Sequence, residues 1–333
     1  QRTMQVLRCR VGARLTLNSS RTLTSSLSTS GSSGSSGSST SGVMSYERYG
    51  DMTSPKTAIF IHGMLGNKKN MRTPCREFIK QNPEFSCITV DLRGHGNSHD
   101  LKGEPNIEEC AHDLQRLIQN LNISSPNMLV AHSLAGKVAL KYLELLCTVR
   151  APMPANTWIL DSLPGPYNLD INNKDDSQSV ANVVKALDGV TMPQPTRTDV
   201  VKEVTQRGVA LPIAQWLTTS LQQTPDGSVS WIFDLKVAKK LFENFVSLDM
   251  RHFLENYNGE GVIHFVRAGR SDKWTDEVLS FFQRIIESPS LQTGGYKNLQ
   301  LHTMPAAGHW LHSEDLPGLL KIMNAHNVDN SRS

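Results

Sequence analysis

The stretch Asn127-Met-Leu-Val-Ala-His-Ser-Leu-Ala-Gly136 constrains the chain most. Asn127 to Ala131 is a short apolar run of strand type, and Leu134 through Leu146 reads as a helix. Ser133 sits at the joint, with small residues two positions either side, Ala131 and Ala135. A strand that turns at once into a helix holds its turn residue under strain, and bulk at the flanking positions would force the two elements apart. The serine hydroxyl then stands clear of the sheet, and the N–H of Leu134, first in the helix, faces the place where negative charge would form. Ala replaces the more usual glycine on both sides, which keeps the smallness but gives up freedom at positive φ.

A serine is a weak nucleophile without a base, and the base needs an orienting acid. The order of the remaining segments supplies candidates. Lys56 to Ile61 is a buried strand running into His62-Gly-Met-Leu-Gly66, where the glycines let the backbone bend and aim the Met64 N–H as a second oxyanion donor. Phe85 to Val90 is another strand, followed by the loop Asp91-Leu-Arg-Gly-His-Gly-Asn-Ser98, which an Asp91–Arg93 hydrogen bond is expected to tie down. Asn106 reads as the N-cap of a helix with Glu109 as capping-box partner. Its stripe of Ile107, Cys110, Ala111, Leu114, Leu117 and Ile118 leaves Asp113 on a face expected to meet solvent. A last strand, Leu299 to Met304, leads to Ala307-Gly-His309-Trp310, and His309 is the base. Two carboxylates can orient it. Asp272, in Gly269-x-x-Asp after the penultimate strand, stands at the usual station; Asp161, one strand earlier, stands at an alternative one. The reading favours Asp272 and leaves Asp161 open.

Strand and helix alternate from Lys56 to Leu160, which predicts right-handed crossovers and a mostly parallel central sheet with helices on both faces. The rhythm breaks between residues 166 and 257. Helical segments at Val180–Leu187, Thr198–Gln206, Ala214–Leu221 and Lys236–Phe245 are separated by prolines, and they read as a helical cap inserted over the carboxyl edge of the sheet. Trp216 and Trp231 are expected to help wall an apolar substrate pocket. The core then comprises residues 43–165 and 258–327.

The first acidic residue is Glu47, and five arginines precede it without a lysine. The net charge of +3 therefore belongs to the N-terminus, and no basic surface for nucleic acid is implied. Residues 1–42, rich in Arg and Ser, read as a transit peptide for a mitochondrion or plastid. Residues 328–333 read as a disordered tail. The five cysteines form no C-x-x-C and read as reduced thiols. Neither metal-ligand spacing nor a Gly-rich nucleotide loop occurs, so no cofactor or metal is implied. No apolar run after residue 43 is long enough to span a bilayer, and the oligomeric state is left open.

His62-Gly-Met-Leu-Gly66, Asp91-x-Arg-Gly-His-Gly-x-Ser98, Ala-His-Ser133-x-Ala and Ala-Gly-His309-Trp together resemble the α/β-hydrolase superfamily. More narrowly, they resemble its small bacterial acyl-ester and thioester hydrolases and their eukaryotic organellar relatives. The resemblance covers about residues 45–325. It implies an α/β-hydrolase fold and cleavage of carboxylic (thio)esters of short to medium acyl chains through an acyl-enzyme on Ser133. It also implies that Asp161 can take part in the site and that Ser271 can join it; His62 is read as lining the substrate pocket. The two alanines at the turn leave a second reading, a hydrolase-fold binding or partner protein with little turnover.

Overall fold

The computed structural model describes residues 35–36, 42–167, 180–287, 292–293 and 296–327. Apart from Ser35–Ser36 and Gly42, the leader read at 1–42 lies outside the described residues, as does the tail at 328–333.

The sheet is built from β1 (Ser35–Ser36), β2 (Tyr46–Tyr49), β3 (Lys56–Ile61), β4 (Phe85–Val90), β5 (Met128–His132) and β6 (Asn156–Leu160). After a small hairpin, β7 (Leu221–Gln223) with β8 (Val229–Trp231), it resumes at β9 (Val262–Ala268). The pair β10 (Gln292–Thr293) and β11 (Tyr296–Lys297) precedes the edge strand β12 (Leu299–Met304). The order in the sheet is β1-β2-β4-β3-β5-β6-β9-β12. From β4 to β12 all neighbours are parallel; only the β1–β2 and β2–β4 pairs are antiparallel. β2, with its alternating Tyr-Glu-Arg-Tyr, was not expected from the sequence.

The central strands are buried on both faces, as parallel strands must be. Ile59, Ile61, Leu129, Ala131 and Ile159 point into one apolar layer, with α2 (Ile107–Asn120), α3 (Leu134–Val149) and α9 (Asp276–Ile286). Their alternates Ala58, Phe60, Met128, Val130, Trp158 and Leu160 point into the other, with α1 (Arg72–Gln81) and α11 (Leu316–His326). The short α10 (Leu311–Glu314) precedes α11. This is the two-residue period of a strand read through two cores.

Two consequences position the site. Because the strands run parallel, the loops after β3, β4, β5, β6, β9 and β12 all leave from the same edge. And the chain steps from β3 to β4 on one side, then to β5 on the other, so the order reverses beside β3. Such a reversal opens a crevice at the carboxyl edge.

Between β6 and β9 lie α4 (Val180–Asp188), α5 (Arg197–Gln206), α6 (Leu211–Leu217), α7 (Leu235–Ser247) and α8 (Arg251–Glu255) with the β7–β8 hairpin. The helix expected at Ala214–Leu221 begins earlier and ends at Leu217. Pro212 sits in its first turn, where the missing N–H costs nothing. Leu221, expected to close a helix, opens β7 instead. The insert meets the loop after β3 through polar contacts: Ser220 Oγ donates to Leu65 O at 2.7 Å, and Asn67 Nδ2 donates to Thr219 O at 3.2 Å.

Candidate active site

The chain leaves β5 at His132 and enters α3 at Leu134, so Ser133 alone makes the turn. Its backbone lies at φ 54° and ψ −120°, a conformation that costs an L-residue about 1–3 kcal/mol. The turn is held by Ser133 N–H to Leu160 O at 2.9 Å and Gly136 N–H to Ser133 O at 2.8 Å. The tightest packing falls on Gly136. A Cβ there would lie 2.6 Å from Ser162 Cβ and 2.8 Å from Ile159 Cγ2. Only a residue without a side chain lets α3 lie this close to Ile159 of β6 at that position.

His309 lies after β12, and its Nδ1–H donates to Asp161 Oδ2 at 2.7 Å. Asp161 follows β6 directly in a left-handed conformation, φ 45°. Its other oxygen, Oδ1, accepts from Trp274 Nε1–H at 2.7 Å and Ala268 N–H at 3.0 Å. The carboxylate is buried, which by itself raises its pKa. The hydrogen bonds from His309, Trp274 and Ala268 outweigh burial and hold it below the ordinary carboxylate range.

The structure thus joins His309 to Asp161, the carboxylate left open, and not to Asp272, the one the sequence reading favoured. Asp272 is exposed on the loop after β9, and among the described residues it makes no hydrogen bond to His309. Ser271 turns back through its N–H to Ala268 O at 3.1 Å, and its side chain makes no hydrogen bond among the described residues. Trp274 is a site residue that the sequence reading passed over. Its signal was a tryptophan with a polar edge in the same loop as the expected acid.

Burial pulls the His309 pKa below the ordinary histidine value, and the Lys273 charge adds to this; the Asp161 carboxylate opposes both. With Nδ1–H committed to Asp161, Nε2 is the nitrogen left with a lone pair. Ser133 and His309 line one narrow cavity of about 40 Å³ together with His62, Met64, Trp216, Trp310 and His312. Among the described residues no hydrogen bond joins Ser133 Oγ to the imidazole, a spacing that often tightens only when substrate is bound. Trp216 is in the wall as expected, 5.7 Å from Trp310 between ring centroids. Trp231 is not. It stacks on Phe233 at 5.0 Å and serves packing within the insert.

A larger cavity of about 1010 Å³ also reaches Ser133 and Met64, and is lined by Leu163, Tyr167, Val180, Phe242, Phe245 and Phe281 among others. Ser133, Met64 and Val180 thus line both spaces, one containing His309 and one without it.

The loop after β3 is shaped by two buried imidazoles. His62 Nε2 accepts from Leu92 N–H at 3.0 Å, so its proton sits on Nδ1, which donates to Gly63 O at 2.7 Å. His95 Nε2 accepts from Leu65 N–H at 3.1 Å while Nδ1–H donates to Arg93 O at 2.9 Å. Each ring needs one acceptor and one donor, so each must be neutral. Burial pushes His62 down to about 3 and lowers His95 as well. His62, read as a pocket residue, lines the cavity but is spent on backbone hydrogen bonds. Neither the Met64 N–H nor, at the head of α3, the Leu134 N–H is engaged by an acceptor among the described residues. A Cβ on Gly63 would lie 2.9 Å from His132 Nδ1 and 3.1 Å from Ser133 Cβ, so only glycine lets this loop come so close to the turn.

The Asp91 loop is tied down, but not by Asp91 to Arg93. Asp91 accepts from Lys68 N–H at 2.7 Å and Asn97 N–H at 3.0 Å, and Arg93 pairs with Asp113 at 2.9 and 3.1 Å. Asp113, expected in solvent, is buried by that pairing. Two further imidazoles crowd the base: His132 Nε2–H donates to His309 O at 2.8 Å, and the His132 and His312 rings are 4.4 Å apart.

Comparison with known proteins agrees with this architecture. The family model described as alpha/beta hydrolase fold matches residues 57–163. The chain is 25% identical to the mouse (Mus musculus) sn-1-specific diacylglycerol lipase ABHD11, over 80% of this chain and 78% of that one. It is also 25% identical to a putative esterase/lipase of Haemophilus influenzae, over 77% of each. Among solved structures, a marine microorganism esterase superposes with a TM-score of 0.69 at 20% identity, covering 86% of this chain and 99% of its own. The chain has the α/β-hydrolase fold, and its residues 57–163 match the model of that family.

Proposed function

We propose that the protein is a serine hydrolase of carboxylic esters, thioesters included. His309 Nε2 takes the proton of Ser133 as Oγ attacks the acyl carbonyl. Asp161 holds the ring in the required tautomer and stabilises the imidazolium that forms. The N–H groups of Met64 and Leu134 receive the oxyanion. His309 then returns the proton to the departing alcohol or thiol, and water releases the acyl group from Ser133 through the same base. The observation that carries the reading is the buried Asp161 carboxylate, which is held on one oxygen by Trp274 and Ala268 and accepts on the other from a histidine in the same cavity as a strained serine.

The two spaces that Ser133 and Met64 line support a placement for the halves of the substrate. The leaving group must lie within reach of His309, hence on the narrow side. The acyl chain lies on the side that Ser133 and Met64 share without His309. At about 1010 Å³ that side is at the upper end of ligand pockets and has room for chains beyond the short-to-medium range. The named relatives, a diacylglycerol lipase and an esterase/lipase, support a neutral acyl ester as substrate. The test is a series of p-nitrophenyl esters from acetate to palmitate, with a diacylglycerol, on wild type and Ser133→Ala. Turnover that rises with chain length and vanishes in the variant supports the proposal; wild type inert on every member refutes it. We further propose that residues 1–42 direct the chain to an organelle, supported by five arginines and no acid before Glu47. A fusion of residues 1–42 to a fluorescent protein that stays in the cytosol refutes this.

A further inference from the structure

We infer that Lys137 is a positioning residue that pins the start of the insert and the end of its helix α7 to the nucleophile's own helix and so fixes the wall of the larger cavity. Lys137 lies on α3, four residues and so about one turn beyond Ser133. It is fully buried. Its ammonium donates to Gly165 O at 2.8 Å, Phe245 O at 2.6 Å and Leu248 O at 2.6 Å. An ammonium has three donors, and all three are used.

The acceptors are not arbitrary. Gly165 is where the chain leaves the core for the insert. Phe245 and Leu248 are at the last turn of α7, where carbonyls lack partners within the helix and carry the negative end of its dipole. The rings of Tyr167 and Phe245 cover the cation at 5.1 and 4.9 Å. A direct bond, Tyr167 N–H to Val246 O at 2.9 Å, joins the same two segments. Gly165, Tyr167 and Phe245 all line the larger cavity.

A buried cation that only filled space would be replaced at a gain by an apolar side chain of the same length, because removing charge from water is costly. No carboxylate touches this one among the described residues. Asp249 and Arg251, the charged groups beyond α7 that act on it, are bound to each other at 2.6 Å. Burial pulls the ammonium down to about 7, with the Asp249 charge opposing and the Arg251 charge adding to the shift. What the charge gains is a three-way tie that no neutral side chain could make.

The kinetic half of the test rests on the proposed ester hydrolysis; the proteolytic half does not. Lys137→Met and Lys137→Gln are compared with wild type for melting temperature, for the ratio of kcat/KM on p-nitrophenyl decanoate to that on the acetate, and for protease cleavage within residues 166–257. Expected are a decanoate-to-acetate ratio lowered about 10- to 100-fold, as for a misplaced binding wall, and faster cleavage of the insert than of the core. Glutamine, which can keep two of the donors, should fall between methionine and wild type. An unchanged ratio with unchanged cleavage overturns the inference. So does a parallel loss on both esters that tracks the melting temperature, and so does failure of both variants to fold, since each marks Lys137 as a general core residue. If the wild type hydrolyses neither ester, the proposed function fails, and the cleavage pattern alone decides the role of Lys137.

Discussion

His309 Nδ1 and Asp161 Oδ2 lie 2.7 Å apart, and the carboxylate's second oxygen is held by Trp274 and Ala268. Asp161→Asn would turn an amide toward a ring nitrogen that donates, and would favour the wrong tautomer. We expect kcat to fall on the order of 10⁴-fold. Asp272→Asn, on an exposed loop, should leave kcat within about twofold. Steady-state kinetics of the two variants side by side separates the carboxylates.

The depressed pKa of His309 sets the acid limb of the rate. The ring must be neutral to act as base, so kcat/KM is full at neutral pH and falls as pH drops through a value below 6.5. Lys273 contributes to the depression; Lys273→Gln should move the limb to higher pH. A pH–rate profile checks both. A limb above 6.5 in wild type, or one shifted to lower pH in the variant, contradicts the reading.

His62 ties the loop after β3 to Leu92 only while neutral. Its folded-state pKa of about 3 lies below the unfolded value of 6.5, so between those values the unfolded chain binds more protons. Stability is full above 6.5 and is lost as pH falls toward 3. In His62→Gln the slope of stability against pH below 6.5 should flatten, as read from urea midpoints at several pH values. The same variant should lose roughly 10²-fold in kcat, because the Met64 N–H is no longer held in place.

Ser133 carries its strain in the backbone, not in the hydroxyl. Ser133→Gly relieves φ 54°, while Ser133→Ala keeps it. Both should be inactive, and the glycine variant should be the more stable by about 1 kcal/mol. Equal melting temperatures would show that the turn is not strained.

Much of this was legible in the sequence. Apolar runs at Ile59–Ile61, Leu129–Ala131 and Trp158–Leu160 are buried on both faces, and runs of that kind mean parallel strands. Parallel strands bring successive loops to one edge, so Ser133, His309 and the loop after β3 could be placed together from their order alone. What spacing could not tell was reach. Asp161 and Asp272 each follow a strand at the right edge; the left-handed turn at Asp161, and the Trp274 ring that comes back to hold its carboxylate, are decided in three dimensions. Asp113 misled for a related reason. It lies off the apolar stripe of α2, and two cations make its burial tolerable: Arg93, 20 residues away in sequence, and Arg116 on the same helix. Trp231 had the composition of a pocket wall, but Phe233 lies against its face.

The central claim is that Ser133 is acylated. Intact-protein mass spectrometry after brief exposure to a fluorophosphonate, followed by peptide mapping, tests it most directly. The account predicts a single adduct on Ser133 in wild type and none in Ser133→Ala. An adduct on another residue, or an unmodified wild type that still hydrolyses ester, would contradict it.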